Sequence, residues 1–169
     1  MSIYTRTGDA GMTSLFGGKR VPKSDSVIDF LGSLDELSGH IGLVASLLKE
    51  SEEQRFLQSI QKDLLDIGAL VSGGKKAMHL TSLVKEMEKK IDEMEKKLPQ
   101  LHAFILPGGT VLTSQVHIAR SICRRAERKA VSLKKKTIFA YLNRLSDYLF
   151  VLARFVNHKD EGKDYKWGV

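Results

Sequence analysis

Residues 4–23 concentrate groups that could hold a phosphate. The segment contains four glycines, four Ser or Thr hydroxyls and four Lys or Arg cations. Glycines let backbone N–H groups approach an anion closely, hydroxyls donate hydrogen bonds, and Lys and Arg supply charge. The segment is not a Walker P-loop, because Gly18 and Lys19 are followed by Arg20 instead of Ser or Thr. Both a phosphate-binding segment and a flexible polar arm fit this composition.

A second set of cations recurs at helical spacing farther along the chain. Its members lie three, four and four residues apart, at His117, Arg120, Arg124 and Arg128. This spacing places them along one stripe of a helix, and Arg125 lies about 100° around it. Cations stacked on one face repel each other unless an anion faces them. The stripe therefore predicts either a solvated face with neighbouring carboxylates, or a bound polyphosphate, which suits the planar fork of Arg.

Smaller signals give less specific predictions. Asp35 interrupts the apolar stripe of a predicted helix, and such a carboxylate is solvated or ion-paired in most proteins. Asn143 lies near the start of another predicted helix, where local capping explains it equally well. The apolar loop Phe104–Gly109 is either core or the wall of a site. The five histidines lack metal-ligand spacing, and neither an HExxH pattern nor a Gly-x-Ser-x-Gly elbow occurs.

Most of the chain is predicted to be helical, so helices must position these groups. Apolar residues recur at intervals of three and four, which predicts helices over 27–48, 52–72 and 81–98. Asp25 or Ser26 is expected to cap the start of the first helix, and the glycine pair at 73–74 is expected to end the second. A fourth is expected after the glycine pair at 108–109 and a fifth after the three lysines at 134–136. Short connections favour an all-α, antiparallel five-helix bundle. We expect one domain over residues 1–169, with an N-terminal segment (1–24), the bundle (25–157) and a polar tail (158–169).

Composition narrows the class of protein. The chain has 169 residues, 42% of them hydrophobic, with a net charge of +7 and one cysteine. This length supports a core without disulfides, and no stretch approaches the roughly 20 apolar residues of a membrane span. We therefore expect a cytoplasmic protein with no membrane partner. The charge permits phosphate-bearing ligands; a nucleic-acid binder rests on charge alone and is the weaker interpretation, so no nucleic-acid partner is expected.

Five blocks of sequence carry a resemblance to a known family. They are Tyr4–Leu15, Gly32–Leu37, Phe104–Gly109, Ala119–Arg128 and Tyr141–Asp147. Together, and in this order, they resemble the PduO-type ATP:corrinoid adenosyltransferases. The resemblance extends over almost the whole chain and is highly specific, although residues 73–100 carry no motif. It implies a homotrimeric five-helix bundle, with ATP bound between adjacent subunits and the N-terminal segment ordered around the nucleotide.

The resemblance also implies roles for individual residues. The nucleotide and its phosphates would be held by Thr5, Arg6, Thr7, Gly8, Asp9, Thr13, Ser14, Lys23, Arg124, Arg125, Glu127, Arg128 and Asn143. The catalytic group would comprise Phe104, Arg120, Asp35 and Arg124. Within it, Arg120 would pair with Asp35 of the adjoining subunit, and Phe104 would cover the lower face of the corrin. No protein ligand to a metal is assigned, and Mg2+ is expected on the triphosphate.

The reaction of this family accounts for the missing protein nucleophile. Cobalt of cob(I)alamin attacks the 5′ carbon of ATP and releases triphosphate, so the protein has to position the reactants and stabilise the leaving charge. An apolar Phe104 that excludes the lower axial ligand would give four-coordinate Co(II), which is easier to reduce. A reductase and an adenosylcobalamin-dependent enzyme are implied as partners. The alternative is a non-catalytic carrier or regulatory protein that binds ATP or cobalamin.

Overall fold

Five helices and one β-hairpin make up the regular structure of the chain. The computed structural model describes residues 4–75, 78–160 and 162–168. The hairpin strands are β1 (Met12–Ser14) and β2 (Arg20–Pro22). The helices are α1 (Ser26–Leu47), α2 (Glu52–Val71), α3 (Leu80–Glu95), α4 (Val111–Ser132) and α5 (Lys136–Lys159). The predicted five-helix fold is confirmed.

Short polar side chains set where three of the helices begin. Asp25, Ser51 and Thr110 each accept a hydrogen bond from a backbone N–H two or three residues later, at 2.8, 3.0 and 3.2 Å. Gly73 ends α2 with φ of +104°, a left-handed geometry that other residues adopt at a cost. The predicted start of the first helix and the predicted glycine stop of the second are both confirmed.

Ion pairs between α1 and α4 show that these two helices run in opposite directions. Asp29 near the start of α1 contacts Lys129 near the end of α4, with 2.6 Å between Oδ1 and Nζ. Two turns along α1, Glu36 contacts Arg125, one turn earlier in α4. The helix α4 also packs against α5 across a short turn, so it contacts both α1 and α5.

The helix α5 is the central element of the bundle. It packs against α3 and α4, and fourteen of its twenty-four residues are buried. On the side of α2, the Tyr148 ring meets Phe56 edge-on at a centroid distance of 5.1 Å. Tyr141, also buried, donates a hydrogen bond from its hydroxyl to Asp63 at 3.0 Å. The predicted repeat of apolar residues along the fifth helix is therefore the face on which the other helices assemble.

Three features depart from the predicted boundaries. The third helix ends at Glu95 rather than next to Pro99, because Lys97 and Leu98 bond to carbonyls only three residues earlier, which tightens the last turn. The fifth helix continues to Lys159, into the predicted tail. The tail beyond it is not simply polar and solvated, since Lys166 forms an antiparallel bridge with Ile105. None of the helices in the described part of the chain is long and apolar enough to cross a membrane.

Candidate functional site

The cations of the predicted stripe on α4 pass from the core to the surface. His117 is 4% exposed, Arg120 is half-buried, and Arg124 and Arg128 are exposed. Within the described residues, none of these three arginines has a carboxylate of its own chain within ion-pairing distance. The stripe thus presents positive charge that the chain itself leaves uncompensated.

The other cations of α4 are compensated by α1. Arg125 pairs with Glu36, and Lys129 pairs with Asp29. The hydrogen bond from the Arg125 guanidinium holds the pKa of the Glu36 carboxyl below its ordinary value. One face of α4 therefore serves helix packing, while the arginine stripe on the next face is left for an anion from outside the chain.

Arg120 is the most buried of the three arginines of the stripe. Its guanidinium carbon lies 5.9 Å from the ring centroid of Phe150, and its buried Nε has no hydrogen-bond partner. Burial, followed by the charge of Arg124, lowers the pKa of Arg120. Burial, followed by the charge of Arg120, lowers the pKa of His117, whose Nδ1 is also buried without a partner. A carboxylate from outside the chain would compensate this charge.

A hydrogen bond between α4 and α5 fixes a carboxylate beside the stripe. Asn143 Nδ2 donates to Glu127 Oε1 at 2.9 Å, and Glu127 is only 8% exposed. The neighbouring Cys123 is fully buried, and its thiol donates to the carbonyl of Leu142 at 3.2 Å. Burial raises the pKa of this thiol well above its ordinary range, so Cys123 is a core residue and not a reactive thiolate.

The N-terminal segment is organised by the hairpin. In β1 and β2, Thr13 lies opposite Val21 and Ser14 opposite Arg20, and Val21 is buried. The Lys23 amide donates to the carbonyl of Gly11 at 2.8 Å, which returns the chain towards its own beginning. The glycine-rich turn between the strands contains Gly18, with φ of +80°. These bonds give residues 11–23 a fixed shape in place of the flexible arm that the composition also allowed.

Several candidate phosphate-binding residues lie close to one another in the hairpin and in the stretch before it. A side chain on Gly8 would lie 3.3 Å from the Lys23 ammonium, so a glycine here gives that cation room. Thr5 and Thr7 share a hydrogen bond between their hydroxyls at 2.9 Å. Arg6 between them has a positive φ of 58°, a backbone geometry that is uncommon for a residue with a side chain.

The loop that precedes α4 carries the exposed aromatic residue of the site. The Phe104 side chain is 82% exposed and that of Leu106 is 51% exposed, so this apolar stretch is a surface wall and not core. Its backbone is bonded to the end of the chain, because Trp167 N–H donates to the Phe104 carbonyl at 2.8 Å. The Leu106 N–H donates to the Tyr165 carbonyl at 2.7 Å.

One copy of the chain does not bring all the predicted site residues together. Across the described residues, no hydrogen bond or ion pair joins residues 5–24 to the arginine stripe. Asp35 is exposed on α1, where it lines a groove of about 520 Å³ with Phe16 and Leu65, and it does not contact Arg120. The predicted nucleotide-binding residues of one chain therefore form two separate groups, one in residues 5–24 and one on the arginine stripe of α4. Neither group by itself completes an anion site.

Comparison with known proteins identifies the family of the chain. The family profile described as "Cobalamin adenosyltransferase" matches residues 3–156. This chain belongs to that family.

Relatives within the cobalamin adenosyltransferase family span bacteria and mammals. The chain is 40% identical to the corrinoid adenosyltransferase MMAB of Homo sapiens, over 96% of this chain and 71% of the relative. It is 42% identical to the cobalamin adenosyltransferase of Cupriavidus metallidurans, over 98% and 93%. A variant of a PduO-type ATP:corrinoid adenosyltransferase from Lactobacillus reuteri, solved with cobalamin and ATP, superimposes with a TM-score of 0.94 at 32% identity, covering 99% of this chain and 100% of that one.

Two features of the structure were not predicted from the sequence. Arg20 was not among the predicted site residues, yet its Nη2 donates to the carbonyl of Thr7 at 2.7 Å and so ties the hydroxyl-rich stretch to β2. The other feature is the pairing of residues 165–167 with the Phe104 loop. The glycine pair at 17–18 was the available signal for the hairpin turn, whereas nothing local in the sequence indicates a pairing between segments about sixty residues apart.

Proposed function

We propose that this protein transfers the 5′-deoxyadenosyl group of ATP to the cobalt of reduced cob(I)alamin. The Co(I) electron pair forms the cobalt–carbon bond, the C5′–O bond breaks, and its electron pair leaves with intact triphosphate. The observation that carries the proposal is the arginine stripe. Arg124 and Arg128 are exposed and without a carboxylate partner in the chain, while neighbouring cations on α4 are paired.

The arginines supply what this displacement needs from a protein. Negative charge gathers on the leaving triphosphate in the transition state, and donors fixed in advance stabilise it without reorganising. Arg124 and Arg128 are four residues apart on one rigid helix, so their spacing does not depend on a flexible loop. Glu127 and Asn143 complete this half of the site, where their hydrogen bond fixes both side chains.

The N-terminal segment supplies the second half of the nucleotide site. Its candidate residues are Thr5, Arg6, Thr7, Gly8, Asp9, Thr13, Ser14 and Lys23. Because residues 5–24 make no bond to the stripe of the same chain, we assign the two halves to adjacent subunits of a homotrimer. Pairing of Asp35 with Arg120 of the adjoining subunit would compensate the charge of the half-buried guanidinium across that interface.

Mg2+ fits this arrangement as a partner of the nucleotide. Among the described residues there is no group of three or more His, Cys, Asp and Glu side chains suited to a metal ion. A carboxylate oxygen of Glu127 is available beside the stripe, and triphosphate oxygens would supply the other ligands. When bound, Mg2+ neutralises triphosphate charge. Arg125 is the predicted nucleotide ligand that fits least, because Glu36 engages it.

Phe104 is assigned to the corrinoid. Its exposed ring lies on the apolar stretch Phe104–Gly109, which suits an apolar corrin face, and the ring itself has no atom that could ligate the cobalt. Cobalt(II) without its lower ligand is easier to reduce, so this ring acts on the reduction step and the arginines act on the transfer step. A reductase and an enzyme that uses adenosylcobalamin are the corresponding partners.

The test is an anaerobic incubation of the protein with chemically reduced cob(I)alamin, Mg2+ and ATP. We expect the visible spectrum of adenosylcobalamin and one equivalent of intact triphosphate, because only the C5′–O bond breaks. A matched reaction with ADP in place of ATP measures how much the third phosphate contributes to the rate of adenosyl transfer. Folded protein that binds both ligands without forming either product would identify a carrier and overturn the proposal.

A further inference from the structure

The end of the chain is fastened to the bundle by a buried ion pair. Arg154, in the last turns of α5, is 5% exposed, and its Nε donates to Asp164 Oδ2 at 2.9 Å. The same guanidinium donates from Nη2 to the carbonyl of Pro99 at 2.8 Å, so it joins three separate stretches of chain. The Asp164 side chain is itself 17% exposed. A buried guanidinium that bonds two partners at once fixes their geometry more strongly than an exposed ion pair does.

A second α5 residue holds the turn that leads to Asp164. Asn157 is 4% exposed, and its Nδ2 donates to the Lys163 carbonyl at 3.1 Å. Its own carbonyl accepts from Gly162 N–H at 2.8 Å. A side chain on Gly109, at the start of α4, would come within 2.5 Å of Asn157 Oδ1. Asn157 therefore brings the turn of the tail and the end of the Phe104 loop into direct contact with α5.

Beyond this anchor, the tail bonds to both sides of Ile105. Trp167 N–H donates to the carbonyl of Phe104, and Leu106 N–H donates to the carbonyl of Tyr165. Phe104 has an 82% exposed side chain, so packing of its own ring does not fix the loop. The main-chain bonds to the tail are the interactions that hold the Phe104 backbone in place.

We propose that Arg154 and Asp164 are positioning residues for the corrinoid step, acting through the tail to set the place of Phe104. This inference rests on the proposed function. The chain of contacts runs from Arg154 to Asp164, along residues 164–167, and through two main-chain hydrogen bonds to Phe104 and Leu106. It predicts that weakening the anchor impairs formation of four-coordinate Co(II) and leaves the nucleotide half of the site in place.

The first test is Asp164→Asn, which keeps the shape of the side chain and removes its charge. The matched control is Asp160→Asn, the same change at an exposed position just after α5. With Asp164→Asn, and with the same one-electron reductant supplied to every sample that starts from Co(II), we expect the rate from Co(II) to fall at least about tenfold relative to the rate from pre-reduced Co(I). The ATP dissociation constant should stay within about twofold. Electron paramagnetic resonance should show loss of the four-coordinate Co(II) signal, which the control retains.

Hydrogen exchange gives a readout that does not depend on activity. The amides of Leu106 and Trp167 should be protected in the wild type and exchange faster in Asp164→Asn, with α4 and α5 protected in both. Unchanged protection of the two amides, or an equal loss of the Co(I) and Co(II) rates, overturns the positioning role. If the wild type itself fails to form adenosylcobalamin from Co(I), the proposed function fails instead.

A second pair of variants leaves the buried ion pair untouched. Trp167→Pro removes the N–H that bonds to Phe104, whereas Trp167→Ala keeps it and removes only the side chain. We expect Trp167→Pro to lose the four-coordinate signal to a greater extent than Trp167→Ala. Equal signals in the two variants contradict the main-chain route to Phe104, even where Asp164→Asn fails to fold.

Discussion

The two ends of α4 are built in opposite ways. At its start, the Phe104 loop is held by the chain's own tail through main-chain hydrogen bonds at 2.7 and 2.8 Å. Farther along the helix, Arg124 and Arg128 reach the surface with no carboxylate partner in the chain. An apolar wall needs a fixed place, whereas a charged clamp needs its charge available, because an internal ion pair would compete with the leaving group. Under the proposed function, the start of α4 would position the corrinoid and the arginine stripe would stabilise charge.

The largest effect should come from removing charge at the arginine end. We expect Arg124→Ala or Arg128→Ala to lower kcat/KM by about 10²- to 10³-fold, because a fixed donor to the leaving triphosphate is lost. The measurement is adenosylcobalamin formation from pre-reduced Co(I), with an ATP titration alongside. Lys129→Ala is the matched control on the same helix, since Lys129 pairs with Asp29 and lies off the stripe. A normal rate with a normal titration would remove the arginine from the clamp.

At the loop end the predicted loss is smaller and selective. Phe104→Ala should slow turnover from Co(II) by about tenfold or more and leave ATP binding nearly intact, because the ring excludes the lower ligand without touching the nucleotide. The rates from Co(II) and Co(I) are compared in the same preparation. Phe139→Ala, at a partly exposed phenylalanine on α5, controls for loss of an aromatic ring. Activity equal to that of the wild type would contradict the wall and erase the contrast between the two ends.

Asp35 tests whether the stripe is completed by another subunit. Asp35→Asn should loosen the trimer and reduce activity several-fold, because the half-buried guanidinium of Arg120 would lose its compensating carboxylate. Sedimentation velocity over a range of concentrations measures assembly, and Asp92→Asn on the exposed face of α3 is the matched control. An unchanged trimer in the Asp35 variant would show that Arg120 is compensated in another way.

The smallest effect concerns the buried end of the stripe. Burial and the charge of Arg120 hold the pKa of His117 below its ordinary value of 6.5. The unfolded state therefore binds the proton first as the pH falls below about 6.5, and the free energy of unfolding decreases. His117→Gln should lose less stability than the wild type between pH 7 and pH 5, as measured by chemical denaturation. The exposed His102→Gln should follow the wild type, and a parallel decrease in all three proteins would contradict this assignment.

Repetition along the helices made most of the fold predictable. The apolar residues of α5 recur so regularly that the fifth helix and its buried face were predicted from the sequence and are confirmed. Asp25 predicted the start of α1 and Gly73 predicted the end of α2, because helix capping and a left-handed glycine depend only on local chemistry. The predicted end of α3 was wrong, because tightening of the last turn leaves no mark in the sequence.

The candidate site was predictable in its types of residue and not in their partners. Helical spacing alone placed Arg120, Arg124 and Arg128 on one stripe. It left open whether carboxylates of the chain would neutralise them, because Arg125 and Lys129 have the same chemistry and are paired. Which cations are left over depends on where α1 lies against α4, and that is a property of packing.

The sequence by itself determined the five helices, the cations of the stripe and the glycine- and hydroxyl-rich segment, because each follows from interactions within a few residues. Only the tertiary structure decided that the tail pairs with the Phe104 loop, that Glu36 occupies Arg125, and that residues 5–24 lie apart from the stripe. These arrangements depend on contacts between distant stretches of chain, whose free energy is settled by how the whole bundle packs.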